Sequence, residues 1–386
     1  MSEAENLVKK ETGSRKLLYN REMKSSGSGK TLVILLFLLV IFGLVMLSSA
    51  GVVEGQRVFG SASYFFKHQL LFGVLPGLVI FFALSWIKPK IWKKLALPIL
   101  FVNIGLLLLI FMPQFGVTLN GAQRWLHLGP LTFEPSELLK LSLIIYLAAW
   151  FSQRGSRTTD HWSSAVLPFL LVLGFVGFLL ALQPDLKTLT IIVLLGASMY
   201  FFSGAKISHM LGFLLVFAIL FAGLAYFAPY RWDRIKAYFN PSADVQGVAY
   251  HTNQALVSIR NGGLFGVGYG QSQQKISNLP EPAGDSIFAV IVEELGLVGG
   301  SAVIALFVGM VLTLVHIAKK AGDQFSRLFI LGVAVWLSLQ AFINIGSISG
   351  LIPLTGVPLP FFSYGSSALW PLFAGLGIAN AIARNG

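Results

Sequence analysis

The stretch "TLVILLFLLVIFGLVMLSSAG", residues 31–51, carries no charged side chain. An apolar helix needs ~20 residues to cross the hydrocarbon core of a bilayer, and this run is long enough. A signal peptide is the plainer reading of an early apolar run. Its core, however, covers only ~7–15 residues behind a short basic head. Here the run is longer and residues 1–30 precede it, so the segment is read as a first membrane helix.

The same measure, carried along the chain, gives spans near 31–50, 69–87, 95–112, 137–152, 163–182, 186–203, 207–227, 286–317, 327–348 and 362–383. Of the 386 residues, 55% are hydrophobic and 11% charged, against about 25% charged in a soluble domain. The fold class is therefore an all-α polytopic membrane protein with about ten transmembrane helices. Residues 1–30, polar and rich in Ser and Gly, read as a disordered cytoplasmic segment. Residues 31–386 read as one membrane domain, with a long extracytoplasmic loop, about 228–284, between helices 7 and 8.

With both termini on one side, eighteen Lys and Arg fall on that side and nine on the other, five of the nine in the long loop. Basic residues collect in the cytoplasm, which places the N and C termini there. The net charge of +12 raises the question of nucleic acid. The basic residues lie in short blocks between apolar runs, so no nucleic-acid partner is expected. The absence of cysteine excludes disulfides and thiol nucleophiles. The six histidines, at 68, 127, 161, 209, 251 and 316, lack the spacing of a metal pair, and no metal site is expected.

Four of the sixteen acids fall in "LPEPAGDSIFAVIVEELG", residues 279–296: Glu281, Asp285, Glu293 and Glu294. The orientation puts them at the outer face, away from cytoplasmic ATP, so chemistry there needs a substrate already activated. If a helix starts near Asp285, Glu293 lies ~12 Å deeper and ~80° around its axis, and Glu294 points away from Asp285. The acids cannot form one cluster. Asp285 fits either a helix N-cap or a general base, and spacing leaves both open.

Glu137 and Lys140 sit at i and i+3 within a span, close enough to pair. Ionisable groups at that depth are either functional or an internal lock. The Gly-rich stretch from Gly262 to Gly270 lacks the GK[ST] of a phosphate-binding loop and suits close backbone packing. Arg231, Arg234, Lys236, Arg260 and Lys275 around it suit a lipid-linked phosphate or anionic head groups. "GLIPLTGVPLPFFSYGSS", residues 350–367, reads as a cavity wall, since irregular backbone at membrane depth must be buried in protein or line a watery space.

Six motifs then stand in order: "NGAQRWLHLGPLTFEPSELLK" (120–140), "QPDLKT" (183–188), "YRWDRIKAYFNP" (230–241), "SIRNGGLFGVGYGQSQQK" (258–275), "LPEPAGDSIFAVIVEELG" and "GLIPLTGVPLPFFSYGSS". Over residues 31 to 383 the chain resembles the SEDS family (shape, elongation, division and sporulation proteins, FtsW and RodA), and its head and "SSAGVVEG" stretch are more similar to FtsW. The resemblance implies a peptidoglycan glycosyltransferase that polymerises lipid II with inversion at the anomeric carbon, at the outer face of the bacterial cytoplasmic membrane. It implies a class B penicillin-binding protein as transpeptidase partner, together with other membrane proteins of the division complex.

By the same resemblance Asp285 is the catalytic general base, and Glu293, Glu137 and Lys140 support the cavity. Arg124 matches the family's Arg and joins Arg231, Arg234 and Lys275 as candidates for the substrate diphosphate. No cofactor is evident, and any divalent cation would act through that diphosphate. Glu134, Lys187 and Ser366 depart from the family's Gln, Gly and Gly, which leaves open how the cavity is lined and whether Lys187 adds a contact. Two other classes compete: a lipid-linked-precursor flippase, which should place its polar residues near the midplane, and a non-catalytic division scaffold.

Overall fold

The computed structural model describes residues 27–119, 122–128, 131–153, 167–226, 229–239 and 248–385. Most of the expected head, residues 1–26, lies outside the described residues. The first span, α1, runs Gly27–Ala50 and leads into the short α2 (Val52–Phe59). The second is α3 (Tyr64–His68), a π-helical turn (Gln69–Val74) and α4 (Leu75–Leu84) in one run, followed by α5 (Pro89–Leu109). Both begin earlier than the apolar windows predict. Backbone hydrogen bonding continues through polar residues that a hydropathy window rejects; Pro89 stands at the first helical position with Lys88 extended before it, a favoured start.

Between α5 and α6 (Pro135–Gln153) lies an antiparallel sheet that was not expected: β1 (Gly116–Leu119), β2 (Ala122–Leu128) and β3 (Leu131–Phe133). Val117 pairs with Trp125 and Leu126 with Phe133. The bundle continues through α7 (Leu167–Leu182), α8 (Leu186–Phe202) and α9 (Ile207–Tyr226). The expected loop 228–284 is largely helical where described, with α10 (Pro229–Phe239), α11 (Val248–Gly262) and α12 (Gln274–Ser277). Last come α13 (Ile287–Lys320), α14 (Gln324–Ile348) and α15 (Ser366–Asn385).

Six of these helical runs are long and apolar enough to cross a membrane; α6, α7, α8 and α9 stand where the other four spans were expected. Large apolar side chains such as Val79, Phe101, Ile219, Leu312 and Phe342 face outward, which a water-facing surface would not carry in such number. The centre of the bundle is α6, buried from Leu139 to Ala149, with α5, α8, α14 and α15 packed around it.

The chain direction alternates. A methyl group on Gly29 would lie 3.2 Å from Asn380 Oδ1, so α1 starts where α15 ends. At the other end of the bundle the last turns of α1, α5, α7 and α14 meet the first turns of α6, α8, α13 and α15. The buried charged residues among those described are Glu134, Glu137, Lys140, Asp185, Lys275, Glu293 and Glu294.

Candidate active site

The "PEPAGDS" turn is held by hydrogen bonds of its own and by residues 344–364. Within it, the amides of Gly284 and Ser286 donate to Glu281 O at 2.9 and 3.2 Å. From outside, Tyr364 N donates to Ala283 O (2.8 Å) and Ser363 Oγ to Gly284 O (2.7 Å). Asn344 Nδ2, on α14, donates to both Asp285 O and Val357 O at 2.8 Å. The stretch expected to wall a cavity therefore clamps the turn that carries Asp285. Asn344 escaped the sequence reading, although a buried amide in an apolar span is itself a signal.

The Asp285 side chain is not the cap of α13. Ser286 occupies the N-cap position, without a side-chain cap bond. Asp285 Oδ1 is buried and has no hydrogen-bond partner among the described residues, and the side chain is 16% exposed. Burial pushes the carboxyl up to about 6, against the positive charges of Lys187 and Arg234 and the nearby amides of Asp285 and Ser286. His251 Nε2, from α11, lies 3.8 Å from Oδ1 and 2.5 Å from Ser286 Oγ. Burial, helped by Arg234, holds that imidazole down at about 4, so at neutral pH it is an uncharged neighbour and not an ion-pair partner. Nothing in the sequence around His251 marked it.

The expected cations separate into groups. Arg234 donates Nη1 to Leu354 O at 3.2 Å and acts on both Asp285 and His251. Arg231 belongs to α10, but its side chain lies outside the described residues. Arg124 donates Nε to Gln183 O at 3.2 Å and Nη2 to Pro184 O, with Nη1 3.8 Å from Asp185 Oδ1. It ties the sheet to the α7–α8 turn.

Lys275, expected as a candidate for the substrate diphosphate, is engaged by protein acceptors. Its Nζ donates to Glu294 Oε1 (2.5 Å), Ser49 Oγ (2.7 Å) and Gly270 O (2.9 Å), which uses all three ammonium donors. Glu294, read from sequence as facing elsewhere, is its partner in a pair buried on both sides.

Glu293 and Glu294 fasten the Gly-rich stretch to a break in α13. Glu293 accepts from Ser272 Oγ (2.6 Å) and from the amides of Gln273 (3.2 Å) and Gln274 (3.4 Å). At Gly296 the helix takes φ 71°, ψ −172°, and the freed backbone groups are met from the side. Val267 and Gly268 donate to Glu293 O and Glu294 O, while Leu297 and Val298 donate to Gly263 O and Leu264 O. A methyl on Gly266 would sit 2.2 Å from Glu294 O, and one on Gly296 2.2 Å from Leu264 O. The glycines serve backbone contact.

Glu137 and Lys140 form an ion pair of 2.7 Å near the start of α6, 4% and 1% exposed. Lys140 Nζ also lies 5.5 Å from the ring centre of Trp336, a cation–π contact. Among the described residues no three His, Asp or Glu side chains converge to hold a metal ion.

Comparison with known proteins places this arrangement. The family model of FtsW, RodA and SpoVE, described as "Cell cycle protein", matches residues 30–386. The chain is 36% identical to stage V sporulation protein E of Bacillus subtilis over 364 residues, covering 94% of this chain and 98% of the relative. It is 38% identical to the "Probable peptidoglycan glycosyltransferase FtsW" of Nitrosococcus halophilus over 332 residues, 84% of each. Among solved structures, a chain of a peptidoglycan synthase complex that coordinates polymerization and crosslinking superimposes with a TM-score of 0.75 at 29% identity, covering 92% of this chain and 97% of that one. Thermus thermophilus RodA gives 0.67 at 29% identity, covering 92% and 96%.

Proposed function

Because the chain belongs to the FtsW, RodA and SpoVE family of cell-cycle proteins, we propose that it is a peptidoglycan glycosyltransferase that polymerises lipid II for septal wall synthesis. The observation that carries this reading is Asp285, a partly buried carboxylate whose Oδ1 is buried without a hydrogen-bond partner among the described residues, with a raised pKa under the influence of two cations. A general base must be ionised at working pH yet keep basicity, and about 6 meets both demands.

In the reaction the acceptor sugar's hydroxyl gives its proton to Asp285, and its oxygen bonds to the donor's anomeric carbon from the face opposite the leaving group. The bond from that carbon to the diphosphate breaks, and its electron pair leaves with the lipid diphosphate. Cations near Asp285 offset the charge that develops there, and a divalent cation would act only through that diphosphate. Since the leaving group supplies the driving force, the site can work on the outer face of the bacterial cytoplasmic membrane, where ATP is absent. That sidedness rests on the Lys/Arg bias, with both termini in the cytoplasm.

The partner in this reading is a class B penicillin-binding protein, alongside other division-complex membrane proteins. A flippase should place its polar residues near the midplane, whereas the orientation read from the Lys/Arg bias puts most of them toward the outer face. The test is purified lipid II incubated with the purified protein, with and without such a partner, and glycan read out on a gel. Polymer that appears fully only with the partner is the expected result. Lipid II left intact in both arms would remove the reading.

A further inference from the structure

One cation near the site has no place yet: Lys187, in the first turn of α8. Its Nζ lies 4.0 Å from Glu134 Oε1, with the lysine side chain 22% exposed and the glutamate 6%. That distance is beyond hydrogen-bond reach, and Glu134 Oε1 has no hydrogen-bond partner among the described residues. The two charges attract without joining. Burial raises the Glu134 carboxyl and the Lys187 charge pulls it back, so the lysine is the main compensation for a carboxylate that burial would otherwise make costly.

The charge of Lys187 also reaches Asp285, where it favours the ionised carboxylate. The charges acting on Asp285 are Lys187 on α8 and Arg234 on α10; His251 on α11 lies 3.8 Å away, and Glu281 in the turn is itself raised by Asp285. Lys275 spends its ammonium on protein acceptors, and Arg124 is tied to the α7–α8 turn. Lys187 keeps its donors: no hydrogen bond from its Nζ is found among the described residues. Its flexible four-carbon stem lets a compact charge move to a nearby oxygen.

We propose that Lys187 is a positioning residue for the diphosphate of a lipid-linked donor, kept beside the site by Glu134 and donating to a phosphate oxygen when that substrate binds. The proposal rests on the glycosyltransferase reading and names the residue that takes the diphosphate. Each charge-assisted hydrogen bond of this kind is worth about ten-fold or more in affinity.

The alternative role for the pair is architectural, and a double-mutant cycle separates the two. Wild type, Lys187→Gln, Lys187→Arg, Glu134→Gln and the double variant Glu134→Gln/Lys187→Gln would be purified and checked for folding by detergent gel filtration. Each would then be measured for undecaprenyl diphosphate binding and for lipid II polymerisation against pH. Lys187→Gln should weaken binding by about ten-fold, while Lys187→Arg retains most of it.

Removing this positive charge should also raise the Asp285 pKa, so the acid limb of the rate moves to higher pH. Glu134→Gln should bind at least as well as wild type, and the double variant should stay weak. That double variant leaves no unpaired buried charge, so the test remains readable if Lys187→Gln folds poorly. Wild-type binding by Lys187→Gln, or by the double variant, would overturn the proposal and leave a structural pair. Failure of the wild type itself to bind the lipid diphosphate and to polymerise would instead remove the underlying reading.

Discussion

Asp285→Asn should accumulate in the membrane and hold its partner like the wild type, yet make almost no glycan. A positioned general base contributes about 10²–10⁴-fold to rate, and the loss should fall in that range. The substitution keeps the size of the side chain, and the structure asks little else of it. Ser286, not Asp285, stands at the N-cap, and the turn is fixed through backbone atoms by Asn344, Ser363 and Tyr364. Asparagine therefore leaves the clamp intact and removes only the proton acceptor. Gel analysis of polymer from purified lipid II, normalised to folded protein, reads the outcome. Polymer at near wild-type rate would return Asp285 to a structural role.

Lys140→Ala should cost the fold more than any change at Asp285. It would strand Glu137, 4% exposed, and breaking one side of a buried pair typically costs about 3–5 kcal/mol. It would also empty the site over Trp336. Folded yield should drop sharply in detergent gel filtration, and activity with it. Sequence spacing alone suggests that exchanging the two charges, Glu137→Lys with Lys140→Glu, would recover part of the loss. Trp336 argues otherwise, because the exchange turns a carboxylate toward the negative face of an aromatic ring. The exchanged variant should recover little. Normal yield of Lys140→Ala in thermal unfolding and gel filtration would mean that the pair is solvated.

The spans were legible because lipid imposes a length and a polarity that survive without any alignment. Their starts were less so: α5 begins at Pro89 among lysines, where hydrogen bonding ignores the charges that a hydropathy window obeys. The sheet at Gly116–Phe133 was hidden because its strands are far shorter than the window that finds a membrane span. At the site, Asp285 stood out through its position between a Pro/Gly turn and an apolar helix. Its surroundings did not.

His251 comes from a helix in a segment read as loop, and pairing across 34 positions of sequence leaves no local signature. The partners of Lys275 were hidden for the same reason: a basic residue on a Gly-rich stretch suggests a ligand, and Ser49 and Glu294, which take its donors, come from two other helices. Lys187 and Glu134 were visible only as two unusual residues, and the fold brings them within 4.0 Å.

The most direct test of Asp285 as the base is the pH dependence of lipid II polymerisation by the purified protein with its partner. The carboxylate must be ionised to accept the proton, and burial holds its pKa at about 6. The rate should thus be near its plateau at neutral pH and fall as pH drops through about 6, about ten-fold per unit below it. A rate that stays level from about pH 5 to about pH 8 would mean that no group with this pKa takes the proton, and would contradict the assignment of Asp285.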